Sequence, residues 1–202
     1  MGTLRKRLDS CSGGLGIQAS VKHGQRLASA LAYMHDDALS GTMIMHRDLK
    51  PDNIGFSASG VVKLMDFGLA KVIQRTLRSR SVKYKMTGET GSPRYMPPEV
   101  AQNQPYSEKA DVWSFTIILW EMVSGRLPFA GINMEMYLAK VCNGGQRPLM
   151  QHSWPADLKD VLQAGWHADP DKRPSFREID AVLTDLQRDF NAPKKKGMFG
   201  RG

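Results

Sequence analysis

The sequence predicts an α+β fold, mainly α-helical, with short β-hairpins gathered near one polar loop. Three observations carry this reading. Residues 111–123 are apolar almost all round, the mark of a buried helix. Ser175 and Glu178 form a capping-box pattern ahead of a stripe made by Ile179, Val182, Leu183, Leu186 and Phe190. Two short apolar runs, Ile54–Phe56 and 61–65, are separated by Ser57-Ala58-Ser59-Gly60, which reads as a hairpin turn.

In chain order, residues 17–35 read first as a helix, because Ile17, Val21, Leu27, Leu31 and Met34 fall mainly on one face. A short apolar run at Thr42–Met45 precedes the hairpin. Some thirty residues rich in Arg, Lys, Ser, Thr and Gly then lead to Pro97-Pro98. A connection of that length is usually functional. The buried helix over 111–123 is closed by Gly125, and Pro128 forbids its continuation. Shorter helices are expected over 134–142 and 157–163. Residues 1–190 read as one domain, and 191–202 as a flexible Pro-, Lys- and Gly-rich tail.

Composition excludes several classes. The 202 residues suffice for one well-packed domain, and 41% hydrophobic with 24% charged is ordinary for a globular chain. There is no repeat, no apolar run long enough for a membrane span, and no apolar segment after the basic N-terminus to make a signal peptide. Lys6 breaks the myristoylation pattern. Cys11 and Cys142 give neither a disulfide framework nor metal-ligand spacing, so a cytoplasmic or nuclear compartment is expected. The net charge of +8 is concentrated in 71–85 and in Lys194, Lys195, Lys196 and Arg201. No aromatics interleave with the tail lysines as a stacking platform would need, so the basic runs are read as solvated and nucleic acid is not expected as a partner.

The residues that carry chemistry are concentrated in His46-Arg47-Asp48-Leu49-Lys50-Pro51-Asp52-Asn53 and, thirteen residues after Asn53, in Asp66-Phe67-Gly68. The hairpin between them brings Asn53 and Asp66 together. An amide oxygen beside a carboxylate suits a hard cation such as Mg²⁺, which takes one or two protein ligands plus substrate phosphates. Asp48 stands ready to orient a hydroxyl and accept its proton, and Lys50 to neutralise charge on a group in transit. That set fits phosphoryl transfer.

These motifs resemble those of eukaryotic protein kinases. HRDLKPDN is similar to the catalytic loop and DFG to the metal-binding motif. Tyr95-Met96-Pro97-Pro98-Glu99 resembles the end of the activation segment, with Pro97 where the family usually has Ala. Asp111-Val112-Trp113-Ser114-Phe115 resembles the start of the central helix, and Asp169-Pro170-Asp171-Lys172-Arg173-Pro174 the loop before the last helix. The resemblance covers about 3–190 in the family's order. It implies ATP and Mg²⁺ as cofactors and protein Ser/Thr hydroxyls as substrate, in signal transduction. Lys50 and the run from Thr87 to Glu99 point to the serine/threonine-specific, tyrosine-kinase-like branch.

By the same resemblance Asp48 is the catalytic carboxylate and Lys50 contacts the transferred phosphate. Asn53 and Asp66 hold metal, and Gly55 lies under the adenine, where a bulky apolar residue is usual. Glu99 should pair with Arg173 in the interior, Asp111 should hold the loop backbone, and Gly68 completes the metal-binding turn. His46 and Phe67 should stack in the core. Arg47 should pair with a phosphate on the activation segment, at Thr76, Ser79, Ser81, Thr87 or Thr90, and Ser92 should help dock substrate.

Residues 2–8 resemble the helix just after the kinase hinge, so the chain resembles the C-terminal lobe alone. The smaller lobe's glycine loop, strand lysine and helix glutamate have no counterpart. Ser12-Gly13-Gly14-Leu15-Gly16 does not replace the glycine loop, since it follows no strand and lacks the last glycine. The 202-residue chain by itself is therefore expected to have little activity, and its open face to attract a covering partner. The same residues leave a second reading open, a non-catalytic kinase-like module that docks partners or competes with a full kinase.

Overall fold

The computed structural model describes residues 2–74 and 93–192. Strand β1 (Gly2–Thr3) leads into α1 (Leu4–Ser10), capped by the Thr3 side chain, which accepts from the Lys6 amide at 3.3 Å. The helix expected over 2–8 thus starts two residues late. Gly2 and Thr3 instead pair antiparallel with Phe56 and Gly55. Helix α2 (Ile17–Asp36) follows, burying Val21, Leu27, Leu31 and Met34.

Next come β2 (Thr42–Met45), β3 (Ile54–Phe56) and β4 (Val62–Leu64). The expected hairpin forms, with Ile54 opposite Leu64 and Phe56 opposite Val62. Strand β5 (Lys71–Gln74) lies where the sequence predicts a loop. It pairs antiparallel with β2, from Thr42–Gln74 to Met45–Lys71. Its one buried side chain, Ile73, joins the core, while Lys71, Val72 and Gln74 remain exposed. One inward residue in four leaves little alternation to read.

After the short α3 (Pro98–Ala101), α4 (Lys109–Ser124) runs through the centre with Trp113, Phe115, Ile117, Ile118 and Leu119 fully buried. Gly125 ends it at φ 64°, a left-handed cap suited to glycine. The Ser12–Gly16 stretch packs there by close backbone approach. The Leu15 amide donates to the Met122 carbonyl at 3.0 Å, and a Cβ on Gly14 would lie 2.7 Å from that oxygen. These glycines make room for backbone.

The expected 134–142 helix is α only over α5 (Met134–Met136) and widens into a π-helical turn, Tyr137–Asn143. The Tyr137 hydroxyl ties that turn to the Met96 carbonyl at 2.6 Å. Helix α6 (Ala156–Gly165) and α7 (Phe176–Asn191) complete the order, and the Ser175–Glu178 capping box is formed in full. Helix α7 packs along α2, and α6 against α4. Among the described residues no helix is long and apolar enough to cross a membrane.

Candidate active site

The loop 46–53 hangs between β2 and β3 and is fixed from below by Asp111, near the start of α4. The fully buried Asp111 carboxylate accepts from the His46 amide at 2.8 Å and the Arg47 amide at 2.9 Å. His35 Nε2 of α2 lies 2.9 Å away. Burial alone would raise the Asp111 pKa. The His35 contact and the two backbone donors outweigh it and hold the carboxyl below its ordinary range.

His46 spends both ring nitrogens on structure. The Asp48 amide donates to Nδ1 at 3.3 Å, which puts the proton on Nε2, and Nε2 donates to the Met65 carbonyl at 3.0 Å. The ring thus ties the 46–53 loop to the residue before Asp66. Phe67 stacks on it with centroids 5.2 Å apart. Phe67 does not enter the core as expected, because half its surface is exposed and no described element covers its outer face.

Asp48 is only 7% exposed. Its Oδ2 takes the Lys50 ammonium at 2.6 Å and the Asn53 amide nitrogen at 3.0 Å, and the same nitrogen reaches the Asp48 carbonyl at 2.8 Å. The Asn53 amide is thereby oriented, leaving its oxygen for other use. Asp48 Oδ1 is buried without a partner among the described residues. Asp48 borders a small cavity shared with Arg47, Tyr95, Met96 and Pro97. A buried carboxylate oxygen left unpaired costs stability, and such atoms mark places where a ligand supplies the missing donor.

The Met65 amide donates to the Asn53 carbonyl at 2.9 Å, so the hairpin registers Asn53 against the residue before Asp66. Asp66 has φ 60° and Arg47 φ 69°, left-handed conformations uncommon outside glycine that cluster at functional sites. Asp66 is exposed, and its Oδ1 accepts from the Gly68 amide at 3.4 Å. Among the described residues no three His, Cys, Asp or Glu side chains converge as a metal cage. A cation at Asn53 and Asp66 would need oxygens from phosphate and water, the habit of Mg²⁺.

Gly55 is buried at the edge of this face. A Cβ there would lie 2.8 Å from Met65 Sδ, so the Met65 thioether occupies the space that a larger residue 55 would fill.

Arg47 donates through Nε to the Tyr106 hydroxyl at 2.8 Å and through Nη1 to the Leu69 carbonyl at 3.2 Å. Nη2 is buried without a described partner. Thr76, Ser79, Ser81, Thr87, Thr90 and Ser92 lie outside the described residues.

Glu99 and Arg173 meet in a bidentate pair at 2.6 and 2.9 Å. Arg173 also donates to the His167 and Lys109 carbonyls. Another buried acid, Glu121 of α4, has no motif to announce it. It accepts from Tyr95 at 2.6 Å and Arg5 at 2.8 Å, tying α1 and the segment before α3 to the central helix. Burial raises the Glu121 pKa, and the two donors offset part of that rise.

A protein tyrosine and serine/threonine kinase family model matches residues 1–183. The chain belongs to that family. It is 38% identical over 185 residues to a probable serine/threonine-protein kinase of Dictyostelium discoideum, covering 92% of this chain and 19% of that protein. It is 39% identical over 191 residues to the serine/threonine-protein kinase VIK of Arabidopsis thaliana, covering 93% of this chain and 42% of the relative. A second Arabidopsis thaliana serine/threonine-protein kinase, STY17, is 34% identical over 188 residues, with 93% and 31% covered. The chain thus spans between a fifth and two-fifths of these relatives' length.

Proposed function

We propose that this chain carries the catalytic half of a serine/threonine protein kinase of the tyrosine-kinase-like branch. It would transfer the γ-phosphoryl group of ATP to protein Ser and Thr hydroxyls in signal transduction. The observation that carries the reading is the division of the Asp48 carboxylate. Lys50 and Asn53 hold Oδ2, while Oδ1 faces no described donor. The free oxygen orients an incoming hydroxyl and takes its proton. Lys50 keeps a positive charge beside the transferring group.

Asn53, through its amide oxygen, and Asp66 would hold Mg²⁺. Gly55 and Met65 would lie under the adenine. Held by Asn53 and Asp66, Mg²⁺ would supply charge neutralisation for the phosphates of ATP. His46 and Asp111 hold the loop in place and take no part in proton transfer. A phosphorylated residue of 76–90 supplies the partner for Arg47 Nη2, and Ser92 helps to seat the substrate.

Phe67 and Met65, exposed beside Asp66, form a face that a nucleotide-gripping lobe or other partner covers. The 202-residue chain alone transfers phosphate slowly at best. A cytoplasmic setting suits the two free cysteines.

The test is to join the chain behind a kinase N-terminal lobe and supply labelled ATP, Mg²⁺ and a protein substrate. Phosphoserine and phosphothreonine are the expected products. Phosphotyrosine alone would overturn the serine/threonine assignment.

A further inference from the structure

Between α6 and α7 lies an apolar groove with no role in the chemistry above. It is floored by Val161, Ala164, Ile179 and Val182 and encloses about 290 Å³. That is near the low end of ligand pockets and suits one or two apolar side chains. Asp157, Asp160 and Glu178 rim it. Glu178 stays ionised, because the Ser175 amide and hydroxyl hold its carboxyl below the ordinary range, with Lys109 adding to the effect.

The acidic rim continues along α7. Glu178, Val182, Asp185 and Asp189 recur at helical spacing on one exposed stripe. Val182 is 37% exposed, a large apolar residue in an acidic row. Asp185 is partly engaged by Arg188 at 2.9 Å, but both side chains are about 70% exposed, so that pair is weak.

The row leads from the groove toward Ala192, where the chain leaves α7 in an extended conformation, φ −64° and ψ 137°, ahead of Pro193. The next residues are Lys194-Lys195-Lys196-Gly197-Met198-Phe199-Gly200-Arg201. Their order complements the stripe read backward from Ala192. Asp189 and Asp185 lie about 5 and 10 Å back along the helix, and Val182 about 15 Å. Counted from Ala192, chain of this length can reach about 7–13 Å at Lys194 to Lys196 and about 23 Å at Phe199. The lysines then fall over the two aspartates, with length to spare for a turn before Phe199 meets Val182.

We infer that residues 193–202 dock in cis on the acidic stripe of α7 and seat Met198 and Phe199 in the α6–α7 groove. The lysines supply steering and the aromatic ring supplies apolar burial. The segment is then a strap joining the last two helices. Any other protein segment with basic residues before an aromatic would compete with it for the groove.

The experiment is methyl NMR of the full chain at about 0.1 M salt, comparing the native sequence with Phe199→Ala and with Lys194→Glu/Lys195→Glu/Lys196→Glu. The groove itself is untouched in both variants. Ring-current shifts on the Val161, Ile179 and Val182 methyls are expected in the native chain, lost in Phe199→Ala and reduced in the triple variant. Synthetic peptide 193–202 should restore them to the chain cut after Ala192. Identical groove methyl spectra for the native chain and Phe199→Ala would overturn the inference. Shifts that vanish on dilution would also overturn it, since they would place the segment on a second copy.

Discussion

The Lys50 ammonium lies 2.6 Å from Asp48 Oδ2, on the carboxylate oxygen that the Asn53 amide also holds at 3.0 Å. The charge of Lys50 is therefore fixed at the site before any substrate arrives. Such preorganisation carries much of a transfer reaction that has little covalent chemistry of its own. Lys50→Ala, in the chain joined to an N-terminal lobe, should lower kcat by about 10²–10³, the cost of losing one preorganised donor. Steady-state kinetics checks this. An unchanged kcat would place Lys50 in structure alone.

The Glu99–Arg173 pair should matter to folding and not to chemistry. Both groups are almost fully buried, and removing one strands the other. Arg173→Met should cost about 3–5 kcal/mol. For a chain of this size that lowers Tm by about 6–20 °C. Glu99→Gln in the same background should recover part of the loss, because no uncompensated charge then remains. Thermal unfolding of the single and double variants tests both statements.

Asp111 sets an acid limit. Its carboxyl is held below its unfolded value, so between the two values the unfolded chain binds the extra proton. The stabilisation is complete above the unfolded pKa of about 4 and is lost as pH falls through the lower, folded pKa. Asp111→Asn lacks this dependence. The stability gap between native chain and variant should be widest near neutral pH and narrow below about pH 4. Chemical denaturation across pH 3–7 measures it. A gap independent of pH would mean that the two backbone N–H donors do not depend on the charge.

Thr116 of α4 faces Gly165 of α6, and the space it needs comes from that glycine. A Cβ on Gly165 of α6 would collide with the Thr116 hydroxyl and lie 3.1 Å from the Thr116 Cβ. Gly165→Ala should cost about 1–3 kcal/mol through overpacking. Thr116→Ala should relieve part of it, and a double-mutant cycle should show coupling of about 0.5–3 kcal/mol. Additive effects would show that the helices part freely.

The meeting of Asp48, Lys50 and Asn53 was legible because they share one short motif, and the hairpin that leads from it to Asp66 forms as the turn residues suggest. The helices showed through where burial is periodic, as on α7, or complete, as on α4. What stayed hidden depended on partners remote in sequence. Arg5 and Glu121 are 116 residues apart, and no local pattern marks either. The pairing of Gly2 and Thr3 with β3 is set by what lies beside them. Strand β5 was masked by the basic run that begins at Lys71. Phe67 was placed wrongly because an aromatic in a family motif suggests a core, whereas exposure depends on what covers it. Gly55 gave no sign that Met65 would fill its place.

The most direct test is of the Asp48 carboxylate. Asp48→Asn keeps the side chain's size and removes the proton acceptor. In the chain joined to an N-terminal lobe, transfer from ATP to protein serine and threonine should fall by about 10²–10⁴, the usual worth of a positioned base. Nucleotide affinity and Tm should change little. Equal transfer rates for the two proteins would contradict this role for Asp48.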